Sequence, residues 1–132
     1  MTEIPLISIV DDDDLSRASL QELVRSLGYS VCTFASAASF LQSPAVAETH
    51  CLILDVQMPE MSGISLQNHL ARRGIDIPII FITAFPDEDT KMHALSAGAI
   101  CYLHKPLGLR GPLLRECIQA ALERGKGPTP TA

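Results

Sequence analysis

Leu6-Ile7-Ser8-Ile9-Val10 runs directly into Asp11-Asp12-Asp13-Asp14, an apolar stretch interrupted only by Ser8 and stopped by four carboxylates. A short apolar run of this kind reads as a strand buried on both faces, and the acidic block reads as the loop that closes it. Working outward, Leu15, Ala18, Leu20, Leu23, Val24 and Leu27 keep helical spacing, with Asp14 placed to cap the helix and Gly28 to end it. A buried strand followed by an amphipathic helix is the repeating unit of a parallel sheet, because parallel neighbours need a long crossover between them.

The unit recurs along the chain. Residues 29–34 predict a second strand and 35–41 a short helix before Pro44; 51–54 predict a third strand, Cys51-Leu52-Ile53-Leu54, ending at Asp55. Past Gly63, Ile64, Leu66 and Leu70 mark a helix that stops near Gly74. Pro78 opens a fourth strand, Ile79-Ile80-Phe81-Ile82-Thr83, whose apolar character suits a central position. Asp87, Glu88 and Asp89 favour a helix start, Gly98 its end, and 100–103 a short fifth strand. Pro112 fits the first turn of a last helix with an inward stripe of Leu113, Leu114, Cys117, Ile118, Ala121 and Leu122. The expected fold is α/β: a five-stranded parallel, doubly wound (β/α)5 sheet of flavodoxin type. Residues 1–124 form the domain and 125–132 a disordered tail or linker stub.

A chain of 132 residues with 47% hydrophobic and 19% charged content suits one core, and rules against a disordered polymer. No apolar run approaches the ~20 residues needed to span a bilayer, and Met1-Thr2-Glu3 lacks the start of a signal peptide, so a cytoplasmic protein without membrane contact is expected. A net charge of -5 argues against direct nucleic-acid contact, whose affinity comes largely from Lys and Arg on phosphates. Cys32, Cys51, Cys101 and Cys117 form no CxxC pair and lie in apolar stretches, so the expectation is four buried small hydrophobes rather than a disulfide or zinc site. His50, His69, His93 and His104 lack metal spacing; His104 alone adjoins the residues below.

In doubly wound sheets ligands collect at the carboxyl ends of the strands. Here those ends carry Asp11 and Asp12, then Asp55, then Thr83, then Lys105-Pro106. Clustered carboxylates repel and raise one another's pKa unless a cation intervenes, and Mg²⁺ prefers such oxygen ligands. A lysine point charge and a threonine hydroxyl suit phosphoryl oxygens. The set has the composition of a phosphoryl-transfer site.

Across residues 7–122 the chain resembles the response regulator receiver domains of bacterial two-component signalling, a CheY-like fold. The resemblance is carried by Val10-Asp11-Asp12-Asp13, by Ile53-Leu54-Asp55-Val56-Gln57-Met58-Pro59 with Met61-Ser62-Gly63, by Ile82-Thr83-Ala84 and by Lys105-Pro106. Ser36-Ala37-Ala38-Ser39-Phe40-Leu41 and Phe85-Pro86-Asp87-Glu88 further resemble the FixJ-like subgroup. The resemblance implies that Asp55 accepts phosphoryl from a histidine kinase or phosphotransfer protein. It implies Mg²⁺ held directly by Asp12 and Asp55, mainly through water by Asp11, and by the Gln57 backbone carbonyl. Thr83 and Lys105 would hold phosphoryl oxygens, with Ala84 leaving room. Lys105-Pro106 would be cis, Phe85 and Gln57 would border the path of attacking water, and Tyr102 would be the aromatic switch residue. The helix at 87–98, the strand at 100–103 and the last helix would form the output face, serving a downstream partner, a covalently attached output domain or a phosphorylation-dependent homodimer.

Other functions fit less well. A haloacid-dehalogenase phosphatase needs an acid two residues after its nucleophile, where this chain has Gln57. A flavodoxin phosphate loop cannot be built from four carboxylates. An EF-hand would put Leu15 and Ser16 where a ligand and a glycine belong. The strongest rival is a receiver fold that acts by protein contact without phosphorylation, against which the intact acidic pair, acceptor, threonine and lysine count. The main departure from the family is Leu107-Gly108-Leu109-Arg110-Gly111-Pro112 before the last helix.

Overall fold

The computed structural model describes residues 4–107 and 111–125. Its elements are β1 (Leu6–Val10), α1 (Asp14–Ser26), β2 (Ser30–Phe34), α2 (Ala37–Leu41), α3 (Ala45–Glu48), β3 (Cys51–Asp55), α4 (Gly63–Arg72), β4 (Ile79–Thr83), α5 (Glu88–Ser96), β5 (Cys101–His104) and α6 (Gly111–Gly125). The strands form one sheet in the order β2-β1-β3-β4-β5, and every pairing is parallel. The expected (β/α)5 fold is therefore the observed one.

Period-two alternation sorts the strand side chains between two cores. Ile7, Ile9, Cys51, Ile53, Ile80 and Ile82 face α1 and α6, meeting Leu20, Val24, Leu114 and Ile118. Val10, Leu52, Leu54, Ile79 and Phe81 face the other side, where Phe40, Leu66, Leu70 and Ala94 cover them. Burial on both faces explains why β1, β3 and β4 read as continuous apolar runs. Ser8, buried in β1, is satisfied by Thr49, whose Oγ1 lies 2.6 Å from its Oγ.

Several local expectations change. Asp13, not Asp14, caps α1, accepting from Ser16 N at 2.8 Å. The α1 stripe is narrower than its spacing suggested: Leu20 and Val24 are buried, whereas Leu15 is 81% exposed. On α6 the inward row is Leu114, Cys117, Ile118 and Ala121, and Leu113 points outward, because those four follow the i, i+3, i+4, i+7 pattern. The short helix α3 was not expected; Pro44 precedes it and the Thr49 hydroxyl closes it on the Ala45 carbonyl at 2.7 Å.

The cysteine expectation holds in full only for Cys51, since Cys32 is half-buried and the other two are bonded to each other. Cys101 of β5 and Cys117 of α6 form a disulfide, while Cys32 and Cys51 are free. Packing α6 against the sheet brings the two Cα atoms to 6.2 Å, within disulfide reach, across a separation of 16 residues that no local motif announces. Cys51 is buried as expected, and burial pushes its thiol up to about 12.

Pro112 stands in the first turn of α6, as expected. Residues 108–110 of the unusual 107–112 stretch, and the tail from 126 onward, lie outside the described residues. Among the described residues no helix is long and apolar enough to cross a membrane.

Candidate functional site

After β1 the chain turns to α1 on one face of the sheet, and after β3 it turns to α4 on the opposite face. The adjacent carboxyl ends of β1 and β3 therefore border a crevice, the place where such sheets bind ligands. Asp11 stands at the first end and Asp55 at the second. The turn that follows β3 is drawn tightly over Asp55: Gly63 N–H donates to the Val56 carbonyl at 2.9 Å, and a side chain at Gly63 would collide with the Asp55 carbonyl oxygen. Glycine is required there by close approach of two backbones.

One carboxylate oxygen from each of Asp11, Asp12 and Asp55 lies within 4.8 Å of the other two. Their environments differ. Asp11 is fully buried and held by Ser16 Oγ (2.6 Å), the Asp13 N–H (3.0 Å) and Lys105 Nζ (3.0 Å). Burial pushes its carboxyl up, but those donors and the lysine charge outweigh it and hold Asp11 below the ordinary value. Asp55, 5% exposed, is raised to about 7 by burial first and by the Asp11 charge second, against the pull of Lys105 Nζ at 3.4 Å. Asp12 is exposed. Lys105 is itself pulled down by burial, yet its two carboxylate partners raise it above the ordinary lysine value.

Lys105 reaches this position because its own N–H bonds the Thr83 carbonyl at 2.7 Å just beyond the β4–β5 pairing. The Lys105-Pro106 peptide is cis, as the family resemblance implied. Three hard carboxylate donors converging on one small volume fit a divalent cation such as Mg²⁺.

Thr83 is buried at the end of β4. Its hydroxyl donates to Gln57 Oε1 at 3.1 Å and accepts the Phe85 N–H at 3.0 Å. Ala84 and Phe85 are exposed on the loop before α5, Phe85 at 71%. Tyr102 stands apart from the carboxylates, its ring 6.4 Å from that of Phe81. Burial raises its phenol, and its hydroxyl is buried without a partner among the described residues. His104 is exposed on β5.

The structure thus gathers Asp11, Asp12, Asp55, Thr83, Lys105, Gln57 and the 84–85 loop at one edge, with Tyr102 paired to Phe81, two residues before Thr83 on β4. Sequence reasoning did not find Ser16, which bonds Asp11, or Arg17, whose Nη1 donates to the Asp11 carbonyl at 2.8 Å. A polar residue one turn into the helix after the acidic loop was the available signal. It also missed Gln67, whose buried Nε2 donates to the Ala94 carbonyl at 3.1 Å and joins α4 to α5.

Residues 7–119 match the response regulator receiver domain. The chain is 42% identical over 121 residues to nodulation protein W of Bradyrhizobium diazoefficiens, covering 92% of this chain and 52% of that protein. Among solved structures, response regulator StyR superposes with a TM-score of 0.82 at 41% identity, over 94% of this chain and 62% of that one. FixJ-N superposes at 0.81 with 31% identity, over 92% of this chain and 96% of that one. The chain spans about half the length of the curated relatives it matches. From its parallel sheet, its carboxylate-bearing strand ends and these matches, the chain belongs to the response regulator receiver domain family of two-component signalling.

Proposed function

We propose that Asp55 is the phosphoacceptor of this receiver. Its carboxylate oxygen attacks the phosphorus of a phosphohistidine on a histidine kinase or phosphotransfer protein; the new P–O bond forms as the P–N bond breaks, and the electron pair leaves with the imidazole. The carrying observation is the meeting of three carboxylates within 4.8 Å at the end of a central strand, with a lysine ammonium bridging two of them.

Asp12 and Asp55 are the direct Mg²⁺ ligands, joined by the Gln57 backbone carbonyl. Asp11, whose oxygens already serve Ser16, Asp13 and Lys105, acts on the metal mainly through water. Bound Mg²⁺ supplies the positive charge that relieves carboxylate repulsion and favours the ionised acceptor. Lys105 and Thr83 hold the phosphoryl oxygens, and the small side chain of Ala84 leaves space for them. The domain catalyses its own phosphorylation and dephosphorylation and turns over no separate substrate. Phe85 and the neutral Gln57 border the water path, which favours slow phosphoryl loss.

Residues 1–124 serve as the receiver. Its output passes through the α5, β5 and α6 face, by way of Tyr102, to a downstream partner, an attached output domain or a second copy, in the cytoplasm. α5 suits movement because it buries only Ala94. Incubating the purified chain with Mg²⁺ and a small acyl phosphate should add one phosphoryl group to Asp55, located by mass spectrometry, and Asp55→Asn should stay unmodified. Modification of Asp55→Asn at the wild-type rate on another residue would overturn the assignment.

A further inference from the structure

The Gln57 side chain takes no part in the carboxylate cluster, yet it holds the hydroxyl on which the site depends. Thr83 Oγ1 donates to Gln57 Oε1 at 3.1 Å and accepts the Phe85 N–H at 3.0 Å, while Gln57 Nε2 donates to the Phe85 carbonyl at 3.5 Å. The three bonds close a ring that ties the turn after β3 to the end of β4 and to the loop leading into α5. We propose that Gln57 is a positioning residue that holds Thr83 in a resting rotamer, so that a phosphoryl group must compete with the Gln57 amide for the single Thr83 hydroxyl proton. The proposal rests on the reading of Asp55 as phosphoacceptor and Thr83 as phosphoryl ligand.

A threonine hydroxyl has one proton to give. Thr83 is fully buried, so without an acceptor in the resting state its O–H would be left unpaired, which costs more than a net hydrogen bond gains. Gln57 is exposed, so once Thr83 turns away water satisfies Oε1 at little expense. The interaction therefore stabilises the resting state selectively, which is what a threshold for ligand binding requires. The ring also transmits. When Oγ1 turns toward a phosphoryl oxygen, the Phe85 N–H loses its acceptor, and the loop carrying the 71% exposed Phe85 is released together with Thr83. That loop leads to the Asp87 cap of α5, a helix whose one buried residue is Ala94, bonded through its carbonyl to Gln67.

The test is a double-mutant cycle read by beryllofluoride binding in Mg²⁺, using the full 132-residue chain with Gln57→Met, which keeps length but loses the acceptor, and Thr83→Val, which keeps shape but loses the proton. Gln57→Met should bind beryllofluoride at least about five-fold more tightly than wild type, equivalent to roughly 1 kcal/mol or more, because the resting Thr83 O–H loses its acceptor. In the Thr83→Val background the same substitution should change affinity by less than about two-fold. Amide exchange supplies an independent readout: the Phe85 N–H should be protected in the ligand-free wild type and lose protection when beryllofluoride binds. Equal affinities for wild type and Gln57→Met, or the same gain with and without the Thr83 hydroxyl, would overturn this proposal alone. Failure of the wild type to bind beryllofluoride would overturn the phosphoacceptor reading and this proposal with it.

Discussion

Lys105 Nζ lies 3.4 Å from Asp55 Oδ2, fifty residues away in the chain, and the same ammonium lies 3.0 Å from Asp11. One positive charge thus serves two buried carboxylates, and it does not suffice for both: Asp11 is held ionised while Asp55 rises to about 7. This imbalance gives the two carboxylates opposite contributions to the pH dependence of stability.

Well below pH 3.8 Asp55 is protonated in both folded and unfolded chains. Between its ordinary value of 3.8 and about 7, the unfolded chain ionises before the folded one, so stability falls as pH rises through this window and levels off above it. The Asp11 contribution has the opposite sign: it is present above the unfolded value and lost as acidification passes the lowered one. In chelator, denaturant melts should show the wild type losing a few kcal/mol relative to Asp55→Asn between about pH 5 and pH 8. Parallel pH profiles for the two proteins would contradict the assignment of the raised group to Asp55.

Divalent cation should reverse that loss. Binding to the folded state alone raises stability with ligand concentration, and the cluster offers three carboxylates only when the strand ends are assembled. Mg²⁺ should raise the Tm of the wild type more at about pH 8 than at pH 5, and Asp12→Ala should abolish most of the rise. A full rise in Asp12→Ala, measured by calorimetry, would place the cation elsewhere.

Gly63→Ala tests how tightly the turn is drawn over the acceptor. The added methyl meets the Asp55 carbonyl, and it also lies 3.0 Å from a ring carbon of buried Phe81 and 3.1 Å from Val56 Cα, just past the end of β3. Overpacking of this kind costs about 1 to 3 kcal/mol. The variant should lose that stability in urea and also phosphorylate more slowly, because relief moves the backbone of Asp55 itself; unchanged phosphorylation kinetics would show that the turn yields instead.

The Cys101–Cys117 bond should contribute through the unfolded chain, where closing a loop of this size is worth about 3 kcal/mol. Thiol labelling of the denatured, unreduced protein should modify Cys32 and Cys51, and reduction should expose the other pair and lower the Tm. Labelling of all four before reduction would show the pair to be thiols in solution.

The sequence by itself determined the parallel sheet and its site, because strands buried on both faces must be written as uninterrupted apolar runs and the residues that end them must be polar. Val10 followed by Asp11, Leu54 by Asp55 and Ile82 by Thr83 could be read without coordinates for that reason. What only the tertiary structure decided are side-chain partnerships: locally, Asp13 rather than Asp14 as cap and Ser16 on Asp11, and between elements distant in the chain, Lys105 on Asp11, Gln57 on Thr83, Gln67 on Ala94, and Cys101 bonded to Cys117. Periodicity reports which face of an element is apolar, but hydrogen bonds and disulfides depend on distances of a few ångström between side chains, and those exist only after the two cores have set how the helices lie against the sheet.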